Sequence, residues 1–190
     1  MELKKVQATH ASAVCSDIDL DDESLQLLTD QDSPGDYLDK LLSAGRYPDA
    51  ARFLARALPH REAVWWACVC AQSGIDGADS DQKTALSVAE AWVFKPTEEN
   101  RQSALAAAEK ARQDNAASWA AMAAFWSGGS IAPPDVANIP AAPHLCSVAV
   151  GSAVALASVE PDPMLMDDNY ALFFKRGIAI ANGENAKQVN

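Results

Sequence analysis

The run Ala63-Val64-Trp65-Trp66-Ala67-Cys68-Val69-Cys70-Ala71 carries no charge and sets two tryptophans side by side in an otherwise acidic, alanine-rich chain. On an α-helix, successive side chains point about 100° apart, so Trp65 and Trp66 cannot share one packing partner. A helix apolar on nearly all sides is either wrapped by other helices or shows a large aromatic to a partner. The run therefore demands a helical body with several elements around it, and it leaves open which indole is exposed. No motif along the chain requires a particular chemistry.

Alanine, with 38 of 190 residues, is the best helix former and fits close helix–helix contacts, whereas aromatics make up only 7%. The expectation is an all-α fold: one irregular bundle of about eight helices, large enough to bury a core without staples. Trp65, Trp92 and Trp119 recur every 27 residues, which adds stacked helix pairs as a variant of that architecture. A net charge of −11 disfavours nucleic acid and anionic membrane surfaces as partners. Met1-Glu2-Leu3-Lys4-Lys5-Val6-Gln7-Ala8 has no apolar stretch behind its lysines, so no secretory signal is expected. The uncharged stretch from Leu145 to Val159 spans roughly 22 Å as a helix, short of a bilayer core of about 30 Å. It reads as a buried helix in a cytoplasmic protein, and Cys15, Cys68, Cys70 and Cys146 read as reduced structural thiols.

Residues 1–32 hold eight acidic and two basic side chains and read as a weakly structured acidic segment, whose Asp17–Leu28 stretch mixes acids with aliphatics. The helical domain spans residues 33–183. Ser33-Pro34-Gly35-Asp36 supplies a cap, a first-turn proline and an acid, and Gly45 ends the helix. Pro48 opens the next helix and Pro59 closes it, and the tryptophan helix runs on to Gly74. Further helices begin near Asp81, at Thr97-Glu98-Glu99 and at Asn115, where the stops are Lys95-Pro96 and Gly128-Gly129. Four prolines exclude a regular helix from residues 130–143, which read as an extended strap held to the body by Ile131, Val136 and Ile139. A buried helix follows from about His144, then a last one carrying Tyr170, Phe173 and Phe174. Residues 184–190 are expected to fray.

Candidate chemistry is sparse. Asp17, Asp19 and Asp21 occupy the first three ligand positions of a calcium loop, but Asp22 stands where glycine is needed and Leu28 where glutamate is needed. His60, Cys68, Cys70, His144 and Cys146 lack the spacing of structural zinc sites. Cys146 with His60 or His10 is a conceivable nucleophile pair, with no glycine-rich turn to hold an oxyanion. No cofactor, no metal and no catalysis are expected. One surface feature departs from the acidic background: Arg46, Arg52, Arg56, His60 and Arg61 fall within sixteen residues, and Arg61 leads into Trp65. Arginine beside tryptophan is typical of binding hot spots, so Arg52, Arg56, Arg61 and Trp65 form the candidate protein-interaction surface. Its counterpart is an acidic partner or the chain's own acidic segment, unless the arginines form an ordinary solvated face.

Residues 53–68, Phe-Leu-Ala-Arg-Ala-Leu-Pro-His-Arg-Glu-Ala-Val-Trp-Trp-Ala-Cys, and residues 119–134, from Trp119-Ala120-Ala121-Met122 to Pro133-Pro134, resemble a family of uncharacterised bacterial proteins associated with type VI secretion gene clusters. The resemblance spans roughly residues 35–180, rests on helix-packing signatures and carries no active site. It implies a cytoplasmic accessory role, as an adaptor or chaperone for a secreted component. The alternatives are a ligand-binding or regulatory helical domain with a pocket at Trp66, Trp92 or Trp126, and a cysteine-dependent enzyme. The oligomeric state is not fixed by these residues.

Overall fold

Several helices begin where the sequence supplies a side-chain acceptor for the free N–H groups of a first turn. In the computed structural model, which describes residues 1–132, 136–160 and 162–189, Ser33 Oγ accepts from the Asp36 amide at the head of α3 (Pro34–Ser43). Thr97 and Asn115 cap α7 (Glu98–Lys110) and α8 (Ala116–Phe125) in the same way. Asp79 and Gln82 form a reciprocal capping box that starts α6 at Ser80, slightly ahead of the expected start, and α6 ends at Phe94 because Pro96 follows. Gly45 and Gly129 adopt positive φ behind α3 and α8, as a stop there requires.

Between these lie α4 (Tyr47–Ala57) and α5 (His60–Ala71), whose last turn tightens into a 3-10 turn over Gln72–Gly77; α9 (Leu145–Val159) and α10 (Met166–Ala181) complete the body. The fold is all-α, and among the described residues the sole β feature is a bridge between Ser130 and Pro140. Helix α9 is the hub, touching α4, α5, α8 and α10. It can do so because its inner positions are small: Ala149, Val150, Gly151, Ala153, Val154 and Ala157 are buried. A Cβ on Gly151 would stand 3.1 Å from Arg52 Cγ, which shows how closely α4 and α9 approach. Because α5 packs on α8 and α9 as well as on α6, the helices close into a bundle. The 27-residue tryptophan spacing is not a structural repeat: Trp92 is buried on α6, whereas Trp65 and Trp119 are half-buried. No single helix among the described residues is long and apolar enough to cross a membrane.

The paired tryptophans divide as helical geometry requires. Trp66 is fully buried, donates its indole N–H to the Phe173 carbonyl (2.8 Å) and lies against the Phe174 ring. Gly177 on α10 makes the room, since a Cβ there would stand 2.8 Å from the indole. Trp65 is half-buried on the outer face.

Three segments depart from the sequence reading. Residues 1–32 are laid along the body with two short helices, α1 (Ala11–Cys15) and α2 (Asp22–Gln26), because the alternating pattern supplies both apolar anchors and charges. Leu3, Ala11 and Val14 join the core, buried Tyr37 donates its hydroxyl to the Ser24 carbonyl (2.8 Å), and Lys40 holds Asp32. The strap around residues 130–143 is not held by its aliphatic side chains: Ile131, Val136 and Ile139 are exposed, while Pro133, Pro134 and Asp135 lie outside the described residues. Its base is tied instead through backbone, where buried Arg101 donates to the carbonyls of Phe125 and Ser130, each at 2.8 Å. In the expected frayed tail, Ala186–Gln188 form a 3-10 turn with Ala186 buried, which brings Lys187 over Trp65.

Candidate functional site

The four residues of the candidate surface separate into two groups. Arg52 and Arg56 lie on α4, where acids meet them. Arg56 pairs with Asp17, and Arg46 reaches Asp21 (2.7 Å) and Glu23 (2.8 Å). Arg52 pairs with Asp49 at 3.3 Å, and Asp49 also accepts the Asp21 amide. The Arg46 guanidinium, together with the Ser24 amide, holds the Asp21 carboxyl well below the ordinary aspartate range. The chain's own acidic segment thus meets Arg46 and Arg56, whereas exposed Arg52 pairs within its own helix, as an ordinary solvated face would have it. Arg56 is half-buried, and its Nε is a buried donor without an acceptor among the described residues.

Arg61 and Trp65 are four residues apart on α5 and share one face. They form one wall of an open cleft of about 550 Å³. Glu90 and Phe94, also four apart, form the facing wall on α6. Arg61 joins the walls: its Nε donates to the Val93 carbonyl (2.6 Å), one of the last carbonyls of α6, where a cation also suits the negative end of the helix. Lys187 closes the rim, its ammonium 4.9 Å from the Trp65 ring centre and 3.5 Å from Glu90. Lys5 pairs with Glu62 at 3.1 Å on the other side. With those charges matched, Arg61 and Glu184 are the lining groups with no ion pair among the described residues. Phe94 is 86% exposed at the mouth, held out because α6 stops and Lys95 turns extended before Pro96.

Sequence reasoning found Arg61 and Trp65 and missed Phe94, Lys187 and Lys5. Phe94 had a local signal, a large aromatic at the last helical position before a Lys-Pro stop. Lys5 and Lys187 are brought in by tertiary packing alone, since the Lys5 amide donates to the Ala181 carbonyl.

Burial favours the neutral form of the thiols. Burial pushes Cys15 up to about 11 and Cys146 up to about 12, and raises Cys68 and Cys70 too. The His60 Nδ1 faces the Ser127 carbonyl at 2.6 Å, which makes it the protonated nitrogen. Among the described residues, no three His, Cys, Asp or Glu side chains stand close enough together to hold a metal ion. Trp66 and Trp92 are packed in the core, and Trp126 lies against Trp119 with ring centres 6.2 Å apart. The cleft is lined by Trp65 instead.

Residues 37–181 match the model of a family of unknown function, DUF6931. The chain belongs to this family. No curated protein and no solved structure matches it. Both walls of the cleft, with Arg61, Trp65, Glu90 and Phe94, lie inside the family span, whereas Lys5, Gly183, Glu184 and Lys187 come from the flanks.

Proposed function

We propose that the chain is a non-catalytic protein-interaction module, acting as an accessory, adaptor or chaperone in a bacterial type VI secretion system, and that it docks protein through the Arg61–Trp65–Phe94 cleft. The observation that carries the docking reading is the exposed Phe94 ring beside half-buried Trp65 and an arginine that has no ion pair among the described residues. Large aromatics and arginine dominate binding hot spots, the aromatics because they bury much area with two torsions to fix and arginine because its planar fork makes several directed hydrogen bonds. The secretion role rests on the resemblance of residues 53–68 and 119–134. Small-ligand binding is the second reading, favoured by a cleft volume within the range of ligand pockets, about 300–1,000 Å³.

Capture of cytosolic proteins on the immobilised full chain, compared with an Arg61→Ala/Phe94→Ala variant, tests the docking reading. Both side chains are exposed, so the variant should stay folded. Loss of a specific macromolecular partner supports docking. Unchanged capture by the folded variant refutes it. Arg56 is left intact in this variant, because its removal would release Asp17 and confuse partner loss with loosening of the N-terminal segment.

A further inference from the structure

Two large apolar side chains stand out as the most exposed among the described residues, Phe94 at 86% and Met164 at 88%. Met164 is not isolated. Leu165 is 47% and Met166 39% exposed beside it, in a 3-10 turn, Pro163–Leu165, that leads into α10. Asp162, Asp167 and Asp168 flank these three residues, so the knob is apolar at its tip and acidic around its base. Aliphatic residues flanked by acids are what Arg56 on α4 and Arg46 just before it already hold: the acidic segment brings Asp17 to Arg56, and Asp21 and Glu23 to Arg46. At the cleft, Arg61 has no ion pair among the described residues, although Glu184 also lines it, and it lies next to two aromatic rings.

Knob and cleft sit at opposite ends of α10. Met166 is its first residue, and Ile180, near its end, lines the cleft. At 1.5 Å per residue they are about 21 Å apart along the axis, so a knob cannot enter the cleft of its own chain.

We propose that the cleft receives the Met164–Met166 knob of a second copy. This rests on the reading of the cleft as a protein-docking surface and names its occupant. The methionine thioethers meet the Trp65 and Phe94 rings, a favourable and adaptable contact. The acids at the base of the knob face the Arg61 guanidinium. A contact between two different patches is heterologous: each copy offers a free knob at one end and a free cleft at the other, so copies add head to tail. The net charge of −11 opposes association at low salt, and near-physiological salt screens it beyond about 8 Å while sparing contacts at the interface.

Sedimentation velocity of the full chain in near-physiological salt, over a concentration series, tests this with two variants at exposed positions, Phe94→Asp (cleft lost) and Met164→Asp (knob lost). The wild type should show a sedimentation coefficient that rises with concentration, and each variant alone should stay monomeric. An equimolar mixture of the two should associate again but stop at the dimer, because it holds one working knob and one working cleft per pair. A wild type monomeric throughout the series overturns the proposal, as does loss of association in Phe94→Asp but not in Met164→Asp, which would mean a symmetric cleft-to-cleft contact. A monomeric wild type that still captures another protein through Arg61 and Phe94 removes the second copy as occupant and leaves the docking reading standing.

Discussion

Gly177→Ala is the sharpest test of how the bundle is packed, because two general rules oppose each other there. In the interior of a helix the change normally stabilises by about 1 kcal/mol, since alanine loses less backbone freedom on folding. At this position the new methyl would stand 2.8 Å from Trp66 Cε2 and 2.9 Å from Leu54 Cδ2. Leu54 ends in a methyl that can turn, although it is fully buried. The indole cannot yield easily, because its N–H is committed to the Phe173 carbonyl one turn earlier on the same helix. Pushing α10 away stretches that bond, and retaining it leaves the overlap. Overpacking of this kind costs about 1–3 kcal/mol, and weakening a buried hydrogen bond adds about 1 kcal/mol. The clash wins, with a net loss of about 1–3 kcal/mol and a melting temperature lower by about 3–9 °C for a chain of this size. Thermal unfolding followed by circular dichroism reads the shift, with Gly128→Ala as the control, since nothing lies within 4 Å of its added methyl. A Gly177→Ala protein that melts above the wild type would refute the reasoning, for it would mean that α10 and the indole retain slack.

The two tryptophans should part in urea denaturation: Trp66→Ala should lose about 3–5 kcal/mol, and Trp65→Ala no more than about 1.5 kcal/mol, so equal losses would contradict their division between core and cleft. Arg101→Met removes the donor shared by the Phe125 and Ser130 carbonyls together with a bidentate pair to Glu98 at 2.7 Å, and it should cost about 2–4 kcal/mol in the same assay; Arg101→Lys, with a single ammonium, should rescue little of it, and a wild-type midpoint for either would be contrary. Hydrogen bonds from Arg46 and Lys40 hold Asp21 and Asp32 below the ordinary aspartate value of 3.8 in the folded chain, so their stabilisation is present above that value and is lost as pH falls through the folded values. Amide exchange at Ala11 and Leu25, corrected for intrinsic rates, should therefore accelerate below pH 3.8 before the α8–α9 core opens; simultaneous opening of both would count against the prediction.

Most helix boundaries were legible because they are local. Ser33, Thr97 and Asn115 meet backbone amides three residues away, and Pro59 and Pro96 act on their own neighbours. The divergence of Trp65 from Trp66 was equally legible, since it follows from the helix alone. Which indole is buried was not, because the answer lies in Gly177 and Phe173, more than 100 residues downstream. The N-terminal segment misled for a similar reason. Its aspartates and aliphatics look like a solvated tail until Arg46 and Arg56 are placed beneath them, and Asp17 and Arg56 are 39 residues apart in sequence. The strap misled in the opposite sense: Ile131, Val136 and Ile139 suggested burial, whereas the anchor is a guanidinium on backbone oxygens, which leaves no hydropathy pattern. At the candidate site, the pairing of Arg61 with Trp65 was readable as an i, i+4 step, but the facing wall with Phe94 required the crossing of α5 and α6.

The alanine content that makes the fold readable also determines where recognition can occur. Helices that meet through Ala, Gly and Ser approach closely, and α8 and α9 bury Ala120, Ala121, Ala124, Ala149, Ala153 and Ala157 with few large side chains between them. Such a centre has no volume to spare for a ligand, and side chains this small leave little to rearrange. The large side chains of the cleft and of the turn at Met164 accordingly stand where helices end or flanking segments cross. Phe94 does so at the end of α6, and Trp65, in the middle of α5, lies where Lys5 and Lys187 cross from the flanking segments. Met164 does so where α9 gives way to α10. The rigid centre fixes the distance between these rims, and segments outside the family span supply part of the cleft's charge. Substitutions in the flanking residues can therefore alter the charge of the cleft while leaving the packing that Gly151 and Gly177 enforce undisturbed.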